Sequence, residues 1–342
     1  MKKFYRIAVL GGGSFGTTLS NLMASKGHDV VLWLRSEERA NEINTEHRNS
    51  FYLPNFDLHK SMRASTDLSA SIAHADIVFF AVPSKSSREV ARQVAQYIRP
   101  DTLVVSTTKG IEPNGFILMS EVLKQELQGQ AIGVLSGPNL AKEIAARQLT
   151  ASVIASEEQE LIDTVQRVLQ CSYFRVYASH DVYGVELGGA LKNIYAIIAG
   201  MGAAMDMGAN TQAMLITRAL AEMSRFAEKL GANPLTFLGL AGIGDLVVTC
   251  SSSLSRNYQI GYAVGTGKSL DEAVDSLGQV AEGVNTLKIV RAKADEMGIY
   301  MPLVEGLSRI LFEGRAVKAV IGELMLGELT VDVEFSSRDA NA

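Results

Sequence analysis

Near its start, this chain runs an apolar pentapeptide straight into a glycine turn, and no other feature restricts its fold as much. Arg6-Ile-Ala-Val-Leu10 reads as a short strand buried on both faces, the pattern of a parallel sheet covered by helices. Gly11-Gly12-Gly13-Ser14-Phe15-Gly16 follows and opens a helix predicted over residues 17–26, which Gly27 closes. A second apolar strand, 29–34, completes a strand–turn–helix–strand unit. The turn satisfies GxGxxG with Gly11, Gly13 and Gly16. Gly11 permits the tight turn, Gly13 lets the backbone approach a pyrophosphate, and Gly16 lets the helix pack closely on the strand. The helix N-terminus adds unpaired N–H groups and partial positive charge. Alone the motif is weak; placed between this strand and this helix it points to a dinucleotide site rather than a ligand-free turn.

The end of the second strand selects the dinucleotide. An Asp or Glu there would take the ribose 2′-hydroxyl of NAD. Here the strand ends Leu34-Arg35-Ser36, so Arg35 can pair with a 2′-phosphate and Ser36 can donate to it. NADP(H) is therefore favoured. Glu37 and Glu38 keep NAD(H) open, and a solvated surface role for Arg35 is the plain alternative.

Strand and helix signals keep alternating. Strands are predicted over 76–82, 102–106, 131–135, 151–155 and 174–177, with helices over 86–97, 117–127 and 158–170 between them, the order of a doubly wound sheet. Beyond residue 180 the segments become long and helical: 185–205, 211–230, 270–277, 284–297 and 304–312. The chain is thus expected to be α/β, with a dinucleotide-binding domain over 1–182, an all-helical domain over 183–335 and a polar tail over 336–342. Its 342 residues suit two domains.

Composition excludes several function classes. A formal net charge of -5 carries no footprint for nucleic acid or anionic membranes, so any anion must be held by a few local cations. Two cysteines far apart, Cys171 and Cys250, argue against a disulfide scaffold or structural zinc, and five histidines without ligand spacing argue against a metal. A reducing, cytoplasmic compartment is expected. The apolar run after Met1-Lys2-Lys3 is too short for a secretory leader, and the best membrane candidate, 194–202, is too short to span a bilayer.

Four further motifs stand outside core-packing logic: Ser106-Thr-Thr-Lys-Gly110, Ser136-Gly-Pro-Asn-Leu-Ala-Lys-Glu143, Glu186-Leu-Gly-Gly-Ala-Leu-Lys-Asn193, and Gly239-Leu-Ala-Gly-Ile-Gly-Asp245 leading to Leu254-Ser-Arg-Asn257. With the glycine turn and Val280-Ala-Glu282-Gly283, the chain resembles the NAD(P)-dependent glycerol-3-phosphate dehydrogenase family, in order from about residue 6 to about residue 330. The resemblance implies a Rossmann domain, a helical C-terminal domain, a homodimer and reversible reduction of dihydroxyacetone phosphate for phospholipid synthesis. It marks Ser14, Phe15, Lys109, Ala141, Arg256, Val280 and Glu282 as cofactor contacts. It marks Lys109, Gly137, Asn139, Asp245, Ser255, Arg256 and Asn257 as substrate contacts. Phe15 stands where many members carry tryptophan, and Asn139 where they often carry Ser or Thr.

The residues fit that chemistry. Ketone reduction needs a hydride donor and a proton donor at the carbonyl oxygen. A lysine in an apolar helix loses hydration, which lowers its pKa and suits it to proton transfer near neutral pH. Lys192, amid small and apolar neighbours, fits this catalytic role; a lysine snorkelling at a helix edge is the alternative. Asp245 could hold Lys192 by a charged hydrogen bond, or simply cap a turn. Ser255, Arg256 and Asn257 form a phosphate-ready set of donors, although an exposed turn uses the same residues. Two other functions compete: a β-hydroxyacid dehydrogenase of similar build, which the Leu-Ser-Arg-Asn set disfavours, and a dinucleotide sensor without turnover, which leaves Lys192 and Asp245 unexplained.

Overall fold

A computed structural model describes residues 4–112, 115–277 and 282–327, with residue 277 described by its backbone alone. Val280 and the tail 336–342 lie outside the described residues. The chain runs β1 (Arg6–Leu10), α1 (Ser14–Ser25), β2 (Asp29–Trp33), α2 (Glu37–Glu46), β3 (Arg63–Ser65), α3 (Leu68–Ile72), β4 (Ile77–Phe80), α4 (Ser84–Ala95), β5 (Leu103–Ser106), a small hairpin of β6 (Ile111–Glu112) and β7 (Ile117–Leu118), α5 (Met119–Glu126), β8 (Ile132–Ser136), α6 (Ala141–Ala145), β9 (Thr150–Ser156), α7 (Gln159–Leu169) and β10 (Phe174–Ser179). Helices follow: α8 (Val182–Ala204), α9 (Ala209–Lys229), a 3₁₀ turn (Pro234–Leu238), a π turn (Leu240–Gly244), α10 (Asp245–Ser251), α11 (Arg256–Gly265), α12 (Leu270–Leu277), α13 (Glu282–Met297), α14 (Pro302–Glu313) and α15 (Val317–Met325).

This is the expected class, an α/β sheet domain of Rossmann type followed by helices. The Cα framework forms two compact units. One takes the described residues up to Ala190 together with Leu235–Val248; the other takes Leu191–Pro234 and the described residues from Thr249 onward.

In the first unit eight strands lie in the order β10-β9-β8-β5-β4-β1-β2-β3. Alternate side chains of β1 feed two apolar layers. Ile7 and Val9 pack with Leu19, Leu22 and Val165 on one face, while Ala8 and Leu10 pack with Val90, Val94 and Leu123 on the other. Both faces are therefore covered, which is why β1, β4 and β8 read as continuous apolar runs. The register is parallel, Ala8 standing opposite Val31 on β2 and Val78 on β4. The strand order reverses at β1/β4, and ligands of such sheets bind beyond the carboxyl ends of strands at that point.

Three features depart from the expectation. β9 joins β8 antiparallel, because a strand buried on both faces reads the same in either direction. The edge strand β3 and the helices α2 and α3 fill residues 37–72, where polar composition hides short elements; α3 is announced only by its Asp67 cap, which accepts from Ala70 N–H at 3.0 Å. α8 covers the predicted helix 185–205, but its apolar stretch extends beyond 194–202, so by length and composition it could cross a membrane; 78% of its apolar window is buried inside the protein.

Among the histidines, His59, His74 and His180 are exposed. His28 is buried edge-on to Tyr5, and its pKa is lowered by that burial and by nearby Lys26.

The second unit is helical throughout its described residues. A buried carboxylate organises it. Glu222 on α9 accepts from the N–H groups of Leu303 (2.6 Å) and Val304 (3.3 Å) at the start of α14, and from the Tyr195 hydroxyl of α8 (3.2 Å). Burial pushes its pKa up to about 7 against the opposing pull of those donors. Pro302 at the first turn of α14 and left-handed Gly314 after its last set the two ends of that helix.

Candidate active site

The glycine turn holds the shape its residues require. Gly11 has φ +121°, and a Cβ there would lie 2.5 Å from the Ala81 carbonyl oxygen at the end of β4. A Cβ on Gly16 would lie 2.0 Å from the Gly11 carbonyl oxygen, so only glycine lets α1 start this close to β1. Gly13 is the N-cap of α1; no side chain among the described residues caps it, and a Cβ there would enter open space. Bare N–H groups at a helix start, facing room for a ligand, fit a dinucleotide pyrophosphate.

Neighbouring side chains brace the turn. Ser14 Oγ donates to the Tyr52 carbonyl (2.7 Å), and buried Asn49 donates to the Gly12 carbonyl (3.0 Å) and to Thr17 Oγ1 (2.8 Å). Thr18 donates to the Ser14 carbonyl (2.8 Å) and approaches the Ala141 carbonyl (3.3 Å), so two expected cofactor contacts share one hydroxyl. Phe15 packs half-buried against the apolar layer behind α1. Arg35 is exposed at the tip of β2. Ser36 does a second job there: its hydroxyl oxygen caps α2 by accepting from Arg39 N–H (3.3 Å).

A charged cluster stands at the carboxyl edge of β5 and β8. Lys109 Nζ donates to Asp245 Oδ2 (2.7 Å) and to the Gly137 carbonyl (2.9 Å). Asp245 is fully buried, and 20% of the Lys109 side chain is exposed. Asp245 thus has a partner that the sequence did not announce, since the motif reading linked it to Lys192. Asn139 accepts from Ser152 Oγ (2.6 Å), while its Nδ2 and the hydroxyl of Ser136 are buried without a hydrogen-bond partner among the described residues. Orphaned polar atoms beside a buried ion pair are the condition in which a polar ligand is bound.

Two glycines of α8 explain how backbone reaches this edge. A Cβ on Gly188 would meet the Ala241 carbonyl oxygen of the π turn at 2.6 Å, and one on Gly189 would meet Ser136 Oγ at 2.6 Å. The π turn, a rare element, leads directly into Asp245, the first residue of α10. Two residues before Gly188 on α8, Glu186 is buried and accepts from the Ser120 N–H (2.9 Å) and hydroxyl (2.5 Å) at the start of α5, and burial pushes its pKa up to about 7.

In the second unit, Lys192 is 6% exposed, and its Nζ donates to Thr249 Oγ1 (2.7 Å). It is therefore a buried lysine bonded to a hydroxyl and not a snorkelling one. Its neighbour Asn193 accepts from Asn257 Nδ2 (2.9 Å), and Asn257 Oδ1 accepts from Gly283 N–H (3.1 Å), beside half-buried Glu282. Ser255 caps α11 by accepting from Tyr258 N–H (3.3 Å), and Arg256 is exposed at the first position of that helix. Of the phosphate-ready trio, Arg256 is exposed, while Ser255 and Asn257 are buried and each also makes a local hydrogen bond.

Sequence reasoning missed Thr249, Asn49 and Asn193. Thr249 had a signal, since it follows Asp245 by four residues and shares its helix face. Asn49 had none, lying in a polar stretch 37 residues from the carbonyl it binds.

Comparison with known proteins agrees with these motifs. The family model for the N-terminus of NAD-dependent glycerol-3-phosphate dehydrogenase matches residues 6–162, and that for its C-terminus matches 181–322. A glycerol-3-phosphate dehydrogenase [NAD(P)+] from Teredinibacter turnerae is 58% identical over 335 residues, covering 98% of each chain. The chain belongs to the glycerol-3-phosphate dehydrogenase family. Another member, from Pseudomonas aeruginosa, is 58% identical over 96% of each chain. The crystal structure of glycerol-3-phosphate dehydrogenase from Coxiella burnetii superposes with a TM-score of 0.91 at 37% identity, covering 95% of this chain and all of that one. As a member of this family the chain is an oxidoreductase, and its glycine turn, Lys109–Asp245 pair and buried Lys192 are the features to be placed in that reaction.

Proposed function

We propose that this protein catalyses the reversible NAD(P)H-dependent reduction of dihydroxyacetone phosphate to sn-glycerol 3-phosphate, with Lys192 as proton donor in reduction and acceptor in oxidation. The observation that carries this reading is the burial of Lys192 on the apolar helix α8, with its Nζ donating to the Thr249 hydroxyl of α10. Burial in general disfavours the charged form of an amine, which suits a buried lysine to proton transfer. When bound, the nicotinamide supplies the hydride. The chain's own residues do the rest. The turn Gly11–Gly16 with Ser14 and Phe15 receives the dinucleotide, Arg35 reads its 2′-phosphate, and Ala141, Val280 and Glu282 make further contacts. Lys109 touches both cofactor and substrate, and its ion pair with Asp245 fixes where its ammonium stands. Gly137, Asn139 and Asp245 bind the glycerol backbone. Arg256 takes the phosphate with its planar fork at a helix start and also touches the cofactor, while Ser255 and Asn257 complete that subsite.

NADP(H) is the favoured cofactor and NAD(H) the alternative. The dinucleotide-binding domain is assigned to 1–182 and the substrate domain to 183–335. We assign the enzyme to the cytoplasm, as a homodimer outside the membrane, in the supply of glycerol 3-phosphate for phospholipids. The test is nicotinamide absorbance followed with NADPH and either dihydroxyacetone phosphate, a β-ketoacid or buffer alone. Oxidation with dihydroxyacetone phosphate only is the expected result; oxidation with the β-ketoacid, or binding without turnover, would overturn it.

A further inference from the structure

The tip of β2 carries more positive charge than the dinucleotide motif uses. Arg35 is exposed there, and the first turn of α2 brings Glu37 and Glu38 beside it. One arginine against two glutamates leaves a net charge of -1 over residues 35–38, a poor setting for a phosphate dianion. Arg39 is the next residue and brings residues 35–39 to zero, two arginines against two glutamates. Arg35 precedes the N-cap Ser36 and Arg39 stands in the first turn of α2, so the two cations flank the start of that helix.

Arg39 is held, not loose. Its guanidinium carbon lies 4.6 Å from the ring centroid of Phe51 and 5.0 Å from that of Tyr52, and these two rings meet edge to face. A guanidinium held over aromatic rings is attracted by their faces through its charge, and such a contact occupies no hydrogen-bond acceptor, so its N–H donors can still serve an anion. The segment bearing the rings is fastened to the glycine turn by the bonds of Asn49 to the Gly12 carbonyl and of Ser14 to the Tyr52 carbonyl. The β2 tip is fastened to the same turn by contact, since a Cβ on Gly12 would lie 2.8 Å from Leu34 Cβ. Two separate attachments therefore place the cation and its aromatic platform beside the turn expected to carry the pyrophosphate.

We propose that Arg39, held over the rings of Phe51 and Tyr52, is a second reader of the adenosine 2′-phosphate of NADP(H), acting together with Arg35. This rests on the reading of the glycine turn as a dinucleotide site and adds the residue that sets its preference. The Ser36 hydroxyl, whose oxygen already caps α2, retains its O–H for the same phosphate. Glu37 and Glu38 are left to serve the 2′-hydroxyl of NAD(H), so the tip can accept both cofactors and discriminate by its two arginines.

The test is calorimetric titration of the full chain with adenosine 2′,5′-bisphosphate and with 5′-AMP, which differ only in the 2′-phosphate. Arg39→Met keeps an unbranched side chain on the rings and removes the fork, and circular dichroism checks that it folds. Losing a charge-assisted contact should weaken the bisphosphate roughly ten- to hundredfold while leaving 5′-AMP nearly unchanged. Arg35→Ala should do the same, and Arg39→Lys should lose less than Arg39→Met. The NADPH-to-NADH ratio of kcat/KM should fall in parallel. Equal weakening of both probes by Arg39→Met would make Arg39 a structural brace, and an unchanged bisphosphate affinity would remove it from the site; either result overturns the proposal. A wild-type chain that binds neither probe would instead overturn the dinucleotide reading beneath it.

Discussion

Replacing Glu186 by glutamine should stabilise this protein at alkaline pH and not at acidic pH. Glu186 is buried on α8, two residues before the glycine pair that admits the π turn, and both its oxygens are bonded to Ser120. Glutamine can keep both bonds, with Oε1 accepting from the Ser120 N–H and Nε2 donating to the hydroxyl after its proton turns away. What changes is the charge. Desolvation raises the Glu186 pKa to about 7 from an ordinary 4.5, so the fold prefers the protonated acid. Its stabilising effect is full below the unfolded pKa, falls as pH rises from about 4.5 through about 7, and is gone above that. A shift of that size is worth roughly 3 kcal/mol as a ceiling, at 1.36 kcal/mol per unit. Glutamine carries no charge to desolvate, so Glu186→Gln should exceed wild type at pH 8.5 by up to that amount. Between-protein differences in Tm, scanned from pH 5 to pH 8.5, isolate Glu186 from Glu222, which titrates in the same window in both proteins. At roughly 2–4 °C per kcal/mol for a cooperative unit of 150–250 residues, the gap is easily read. A constant Tm difference across the scan would refute the argument, because it would mean that Glu186 enters the fold already ionised.

Arg256→Ala should lower kcat/KM for dihydroxyacetone phosphate by roughly ten- to hundredfold, and lower that for unphosphorylated dihydroxyacetone much less, because remote phosphate binding helps orient the carbonyl; equal losses on both substrates would confine Arg256 to the cofactor or to structure. Gly16→Ala places a Cβ 2.0 Å from the Gly11 carbonyl oxygen and should cost roughly 1–3 kcal/mol of stability as overpacking. It should also weaken NADPH binding, and chemical denaturation with cofactor titration would expose the error if neither moved.

The fold was legible wherever burial on both faces produced apolar runs. β1, β2, β4, β5 and β8 and the long helices α8 and α9 fall where periodicity and glycine punctuation place them. Elements that draw their stability from elsewhere were hidden. β3 is a three-residue edge strand, Arg63–Ser65, which pairs with β2, and α10, with seven residues, is too short to show a period; α11 and α15 were not foreseen either. The site was half legible. Motifs located Lys109, Lys192 and Asp245, yet the pairing of Lys109 with Asp245 and of Lys192 with Thr249 depends on packing that no spacing reveals. Ser36 and Ser255 show that residue type alone does not tell a ligand contact from a helix cap. A hydroxyl before a helix suits an anion and a backbone N–H equally well, and here both oxygens cap helices.

The central claim is that Lys192 moves the proton, and one comparison tests it directly: kcat with dihydroxyacetone phosphate beside the NADPH dissociation constant, in wild type and in Lys192→Met. Methionine keeps the unbranched length within α8 and removes the ammonium that Thr249 accepts. The account predicts a kcat lower by roughly 10²–10⁴, the usual share of general acid–base catalysis, with NADPH affinity retained. A variant that keeps most of its kcat would show that another group supplies the proton.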